Sequence, residues 1–225
     1  MEPSPPQPTS DANGLADPRC ASPRYASTAD VGTYPITIPV VALIASASGV
    51  QALARVLSAL PADLPAAVLV ALHIAPDRPS QLVPIFSRYC ALSVRSAADR
   101  ARMRPGVVLV APPGHHVLVT SESRIGLIDT GPVPPARPSA DLLLTTLAVT
   151  CGPRALAVVL TGLGHDGQAG VRAIVHCGGT VVAQDEATSA FAAMPAAAIA
   201  TGVVRDVLPL DDVAAAIVTH ATGRR

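Results

Sequence analysis

Three apolar runs constrain how this chain can fold. Residues 36–45 read ITIPVVALIA, residues 66–73 read AAVLVALH, and residues 155–160 read ALAVVL. None alternates as a strand with one wet face does, and each is too short for a fully buried helix. Continuous aliphatic runs of this length mark strands covered on both sides, and therefore a parallel sheet under helices. Helical stretches fall between them: Gln51 to Leu60 before Pro61, and about Ser80 to Cys90. Ser139 suits the cap of a helix reaching Cys151. Another helix should run from the TGLGHDG loop to about His176, one near Met194–Thr201, and a last one from Asp211, after a short DVLPL segment. TVVAQ (Thr180–Gln184) reads as one more strand. The segment from Val107 to Asp129 differs, with short runs broken by Pro-Pro-Gly and Ser-Glu-Ser, as antiparallel strands are. The expected fold is α/β: a doubly wound, mostly parallel sheet with helices on both faces and a small antiparallel insertion.

Residues 1–35 are rich in Pro, Ser, Ala and Asp without a sustained apolar period, and are expected to form a disordered leader to a domain spanning 36–225. Sixteen basic and 16 acidic residues give a formal net charge of zero, which leaves no electrostatic footprint for nucleic acid or an anionic membrane. Aromatic residues make up only 2% of the chain, which argues against base stacking. The four cysteines, Cys20, Cys90, Cys151 and Cys177, form no CxxC pair, so neither a disulfide framework nor a metal site is expected. No apolar run reaches the ~20 residues of a membrane span, and no export signal is read. A cytoplasmic domain is the expectation.

In an open parallel sheet, ligands bind beyond the carboxyl ends of the strands. Three polar residues occupy such positions. Ser46 follows the first strand, His73 ends the second, and Asp166 lies in the loop after the strand at Ala155. A hydroxyl, an imidazole and a carboxylate are the parts that acyl transfer through serine needs. Each alone has an ordinary structural explanation: a helix cap for Ser46, a half-buried histidine for His73, turn chemistry for Asp166 beside Gly167. The GxSxG elbow is not met, because Ile44 and Ser48 stand at the glycine positions.

A competing pattern overlaps the third residue. Gly162-Leu163-Gly164-His165-Asp166-Gly167 is a literal GxGxxG between a strand and a helix, and Asp185-Glu186 closes the next strand where a ribose contact would sit. Its late position in the chain and the carboxylate of Asp166 weigh against a dinucleotide. On pattern alone, the triad and the dinucleotide loop both remain open.

From about Pro39 to Val218 the chain resembles the catalytic domain of the chemotaxis receptor methylesterases, the CheB family. The family's G-A-S-T-G-G-x-x-A-L resembles the stretch from Ile44 through Ser46, Ser48 and Gly49 to Ala52-Leu53; its Q-H-M-P-P resembles Leu72-His73-Ile74-Ala75-Pro76. Its P-G-x-x-x-I-A-P-x-x-x-H is similar to Pro105-Gly106 through Ala111-Pro112 to His116, and its R-P-S-V-D to Arg137-Pro138-Ser139-Ala140-Asp141. Its L-T-G-M-G-x-D-G-A-x-G resembles Leu160 to Gly170, and its A-Q-D-E and M-P fall on Ala183–Glu186 and Met194-Pro195. The resemblance implies a serine hydrolase of glutamyl methyl esters, with glutamine deamidation as a second reaction. Ser46 would be the nucleophile, His73 the proton carrier and Asp166 its orienting partner, with no cofactor and no metal. It implies that the partner is a methylated chemoreceptor-like protein, and, since the leader is too short for the family's receiver domain, that any receiver acts from a separate chain. The chain departs from the family at Ile44, Ala47 and Ser48, which surround the nucleophile. Those departures keep a second class of reading open, a catalytically weakened binding module of the same fold.

Overall fold

The computed structural model describes residues 34–74, 80–129 and 137–223. The expected disordered leader, apart from its last residues Tyr34 and Pro35, and the Ala75-Pro76 end of the second family block lie outside the described residues.

Among the described residues, seven strands form one sheet in the order β3-β4-β2-β1-β7-β8-β9, all pairings parallel. These are β1 (Val40–Ala45), β2 (Ala67–Leu72), β3 (Ser93–Ser96), β4 (Val107–Val110), β7 (Ala155–Val159), β8 (Thr180–Gln184) and β9 (Asp206–Leu208). A separate antiparallel hairpin joins β5 (His115–Val119) to β6 (Ile125–Asp129). The expected α/β class with its insertion is therefore what forms. β1 is buried along its whole length, as its unbroken apolar run requires.

Alternate residues of β1 feed two cores. Val40, Ala42 and Ile44 pack on one face with Leu143, Leu144 and Leu147 of α3 (Ala140–Cys151) and Val171 and Ile174 of α4 (Gln168–His176). Val41, Leu43 and Ala45 pack on the other with Leu53, Val56 and Leu57 of α1 (Gly49–Ser58). That second core also takes Phe86 of α2 (Leu82–Ser87) and Ile217 of α6 (Val213–Thr222). α5 (Ala193–Ile199) adds Met194 to the first core.

Several boundaries differ from the sequence reading. β1 starts at Val40 rather than Ile36, because Pro39 has no N–H to donate; its carbonyl accepts from Ala67 N at 3.1 Å. Val107–Val110, read with the antiparallel group, joins the main sheet as β4, while β5 and β6 pair antiparallel. The edge strand β3 was not foreseen, since its sequence SVRS carries no apolar run. The helix expected from Ser80 to Cys90 is only the six residues of α2. Tyr34, assigned to the leader, donates its hydroxyl to the Cys177 carbonyl at 2.9 Å, and its ring lies where a Cβ on Gly152 would stand. Among the described residues no helix is long and apolar enough to cross a membrane.

The strand order reverses at β1. From β1 the chain runs to β2, on to the edge strand β3, back to β4 between them, and then lays β7 on the other side of β1. The carboxyl ends of β1 and β7 flank that reversal, the place where such sheets bind ligands.

Candidate active site

Ser46 is the first residue after β1. Its N–H donates to the Thr161 carbonyl at 3.1 Å, which ties it to the loop after β7. Its own carbonyl accepts from Gly49 N at 2.9 Å, closing a tight turn that leads straight into α1. Within that turn Ser48 has φ 59°, the left-handed region that glycine prefers. The family carries glycine at this position, so the departure at Ser48 is a matter of backbone strain. Ser48→Gly is expected to raise unfolding free energy by about 0.5–1 kcal/mol, read from denaturant melts. A destabilised Ser48→Gly protein would show that the hydroxyl makes a contact worth more than the strain. The departure at Ile44 points inward. That side chain is 0% exposed and packs in the core with Leu144, away from the reacting edge.

His73 follows β2 and is placed beside Ser46 by strand pairing. Its N–H donates to the Ala45 carbonyl at 3.1 Å, extending the parallel register of Ala45 with Leu72. Its Nε2 lies 3.0 Å from Asp166 Oδ2, with the two side chains only 14% and 17% exposed. With Nε2 turned to the carboxylate, Nδ1 is the ring nitrogen available to a hydroxyl or to substrate. Among the described residues no hydrogen bond joins Ser46 Oγ to this ring. The structure thus brings His73 and Asp166 into contact and sets Ser46 on the adjacent strand end.

Asp166 is held from more sides than the sequence indicated. Its Oδ2 accepts from Ala140 N at 2.7 Å, and its Oδ1 accepts from Asp141 N at 3.1 Å and from Ser139 Oγ at 3.3 Å. These amides open the first turn of α3, so the carboxylate sits on the electropositive end of that helix. Burial opposes its ionisation, but the His73 hydrogen bond and the Ala140 and Asp141 amides outweigh it, and the carboxyl lies below its ordinary value. Ser139 also performs the predicted cap, accepting from Leu142 N. The role of the Ser139–Asp141 segment in gripping Asp166 had no signal beyond its place just before a helix.

The glycines around Asp166 are accounted for by this geometry. A Cβ on Gly162 would come 2.7 Å from Ser46 Cβ and 2.9 Å from Met194 Sδ, so only glycine lets the loop pass the serine. Gly164 and Gly167 have φ of 90° and 105°, which turns the chain back into α4. Gln184 and Thr161 brace the loop from below: Thr161 N donates to Gln184 Oε1 at 2.8 Å, and Gly162 N to the Phe191 carbonyl at 2.9 Å. The Ala47 and Leu163 backbone amides donate to no acceptor among the described residues.

The dinucleotide alternative fits poorly here. Asp185, offered as the ribose contact, instead accepts from Thr188 N at 2.9 Å in a local turn. The first glycine faces the serine rather than open space. Calorimetry with NAD or FAD is expected to show no binding; a micromolar constant would restore that reading.

Comparison with known proteins agrees with the geometry. The sequence matches the CheB methylesterase family model over residues 41–217. It is 43% identical over 190 residues to a protein-glutamate methylesterase/protein-glutamine glutaminase of Moorella thermoacetica, covering 83% of this chain and 45% of that protein. It is 41% identical over 184 residues to the protein-glutamate methylesterase FrzG of Myxococcus xanthus, covering 81% and 55% respectively. The chain therefore spans about half the length of the curated relatives it matches. The crystal structure of the Thermotoga maritima CheB methylesterase catalytic domain superposes with a TM-score of 0.78 at 27% identity, covering 81% of this chain and 98% of that one. Family model, relatives and fold all converge on the region that carries Ser46, His73 and Asp166, and the chain belongs to the CheB methylesterase family.

Proposed function

We propose that this domain hydrolyses γ-glutamyl methyl esters on a chemoreceptor-like protein, with Ser46, His73 and Asp166 as its working groups. The observation that carries the reading is the hydrogen-bonded His73–Asp166 pair, near the sheet's reversal point and the serine that follows β1. In the first half-reaction Ser46 Oγ attacks the ester carbonyl carbon while His73 Nδ1 takes its proton. The tetrahedral oxygen receives the Ala47 and Leu163 amides. The carbon–methoxy bond then breaks, and His73 returns the proton to the departing methanol. Water repeats the sequence on the acyl-serine and releases glutamate. A glutaminyl side chain follows the same path with ammonia leaving, the second reaction for which the Moorella thermoacetica relative is named.

Asp166 keeps Nε2 protonated, so that Nδ1 presents its lone pair, and stabilises the imidazolium formed during attack. No step calls for a metal or cofactor. Any receiver-type regulator would act from outside the domain described here. The free thiols of Cys90, Cys151 and Cys177 favour a reducing, cytoplasmic setting. Incubation with a receptor carrying isotope-labelled glutamyl methyl esters tests the proposal. Release of labelled methanol at a rate proportional to enzyme supports hydrolysis. Tight binding of the receptor without methanol release would favour a binding module instead.

A further inference from the structure

His116 stands on β5, in the hairpin outside the main sheet, and is 0% exposed. Its Nδ1 lies 3.0 Å from Ser139 N. A backbone N–H can only donate, so this nitrogen is an acceptor and carries no proton. The amide it receives belongs to the residue that begins the carboxylate cradle. Ser139 Oγ reaches Asp166 Oδ1, and the next two amides, of Ala140 and Asp141, reach both carboxylate oxygens. His116 is thus linked to Asp166, and through it to His73, by consecutive hydrogen bonds. The charges that face it agree with an acceptor state. Burial and the Arg137 guanidinium push its pKa down, while the Asp166 carboxylate pulls it up less strongly. A buried side chain that only filled space could as well be leucine, but leucine cannot accept from Ser139 N.

We propose that His116 is a positioning residue, whose Nδ1 fixes the Ser139 amide and thereby aims the first turn of α3 at Asp166, holding that carboxylate where His73 Nε2 can use it. The proposal rests on Asp166 being the partner of His73, and extends the machinery to a second histidine that acts through the Ser139 amide.

Two pairs of variants test it. His116→Leu keeps apolar bulk and loses the acceptor, whereas His116→Asn can place its carbonyl oxygen near the former Nδ1. A second pair, His116→Phe and His116→Gln, repeats the comparison with an aromatic ring that cannot accept and a longer side chain that can. His116→Leu should lower kcat on the order of 10²-fold with KM little changed, and His116→Asn should recover most of that loss. His116→Phe should fall below His116→Gln by a similar factor. Nitrogen-15 spectra of His73 supply a readout that needs no turnover. The parent should show a protonated Nε2, and the His116→Leu protein a mixture of tautomers. A folded His116→Leu protein with parental kcat and an unchanged His73 spectrum overturns the proposal, as does His116→Asn no better than leucine. If His116→Leu does not fold, equal behaviour of His116→Phe and His116→Gln overturns it. A parent protein without esterase activity, whose His73 spectrum still responds to His116→Leu, contradicts the hydrolase reading and upholds the positioning role.

Discussion

Ser46→Ala is expected to abolish methanol release while leaving the fold unchanged. Removing a serine nucleophile of this kind lowers turnover on the order of 10⁵–10⁶-fold, because the remaining machinery has no covalent route to follow. Stability should hardly move. The Ser46 backbone bonds to Thr161 and Gly49 survive the substitution, and among the described residues its hydroxyl makes no hydrogen bond whose loss would strand a partner. Activity assays on a methylated receptor, paired with melting curves, separate the two effects. The neighbouring serine serves as the control. Ser48 is exposed on the turn and displaced from the strand end, so Ser48→Ala should retain turnover. Loss in Ser48→Ala with retention in Ser46→Ala would move the nucleophile by two residues.

Asp166→Asn has the second-largest expected effect, and it strikes both chemistry and stability. Asparagine offers one acceptor oxygen and one donor NH₂ where the carboxylate offers two acceptors. In either orientation the NH₂ confronts a donor, either the Ala140 amide and His73 Nε2 or the Asp141 amide. One orientation also reverses the His73 tautomer, so that Nδ1 carries the proton and cannot serve as base. Turnover should fall on the order of 10²–10⁴-fold. The unmatched amide should cost about 1–3 kcal/mol of stability, which a simple turn aspartate would not.

The acid limb gives an independent sign. The folded carboxyl lies below its unfolded value of about 3.9, so its stabilisation is complete above that pH and is lost as pH falls through the lower folded value. The stability difference between parent and Asp166→Asn should therefore shrink in acid. A folded Asp166→Asn protein with full turnover would remove Asp166 from the mechanism.

Much of this arrangement was legible in the sequence because burial on both faces leaves a plain record. The runs at Val40–Ala45, Ala67–Leu72 and Ala155–Val159 are apolar at every position, and each became a strand near where it was read. The polar residue ending each run, or in the loop just beyond, was the natural place to look for chemistry. What stayed hidden was pairing without an apolar signature. β3 is an exposed edge strand, and its Ser93 and Arg95 side chains need not be hydrophobic. Val107–Val110 could not be assigned to one sheet or the other by its own pattern, since partner choice is tertiary. The cradle around Asp166 is made largely of backbone amides, which any residue supplies, so no side-chain pattern announces it. His116 was visible as part of a family block, but its target is an amide 23 residues away across a loop.

The central claim is that Ser46 is a nucleophile activated by the His73–Asp166 pair. Labelling the folded protein with a fluorophosphonate, followed by peptide mapping of the modified residue, tests it most directly. A single adduct on Ser46 Oγ is expected, lost in His73→Ala and slowed in Asp166→Asn while both variants remain folded. An adduct on Ser48, or no adduct on a folded parent protein, would contradict it.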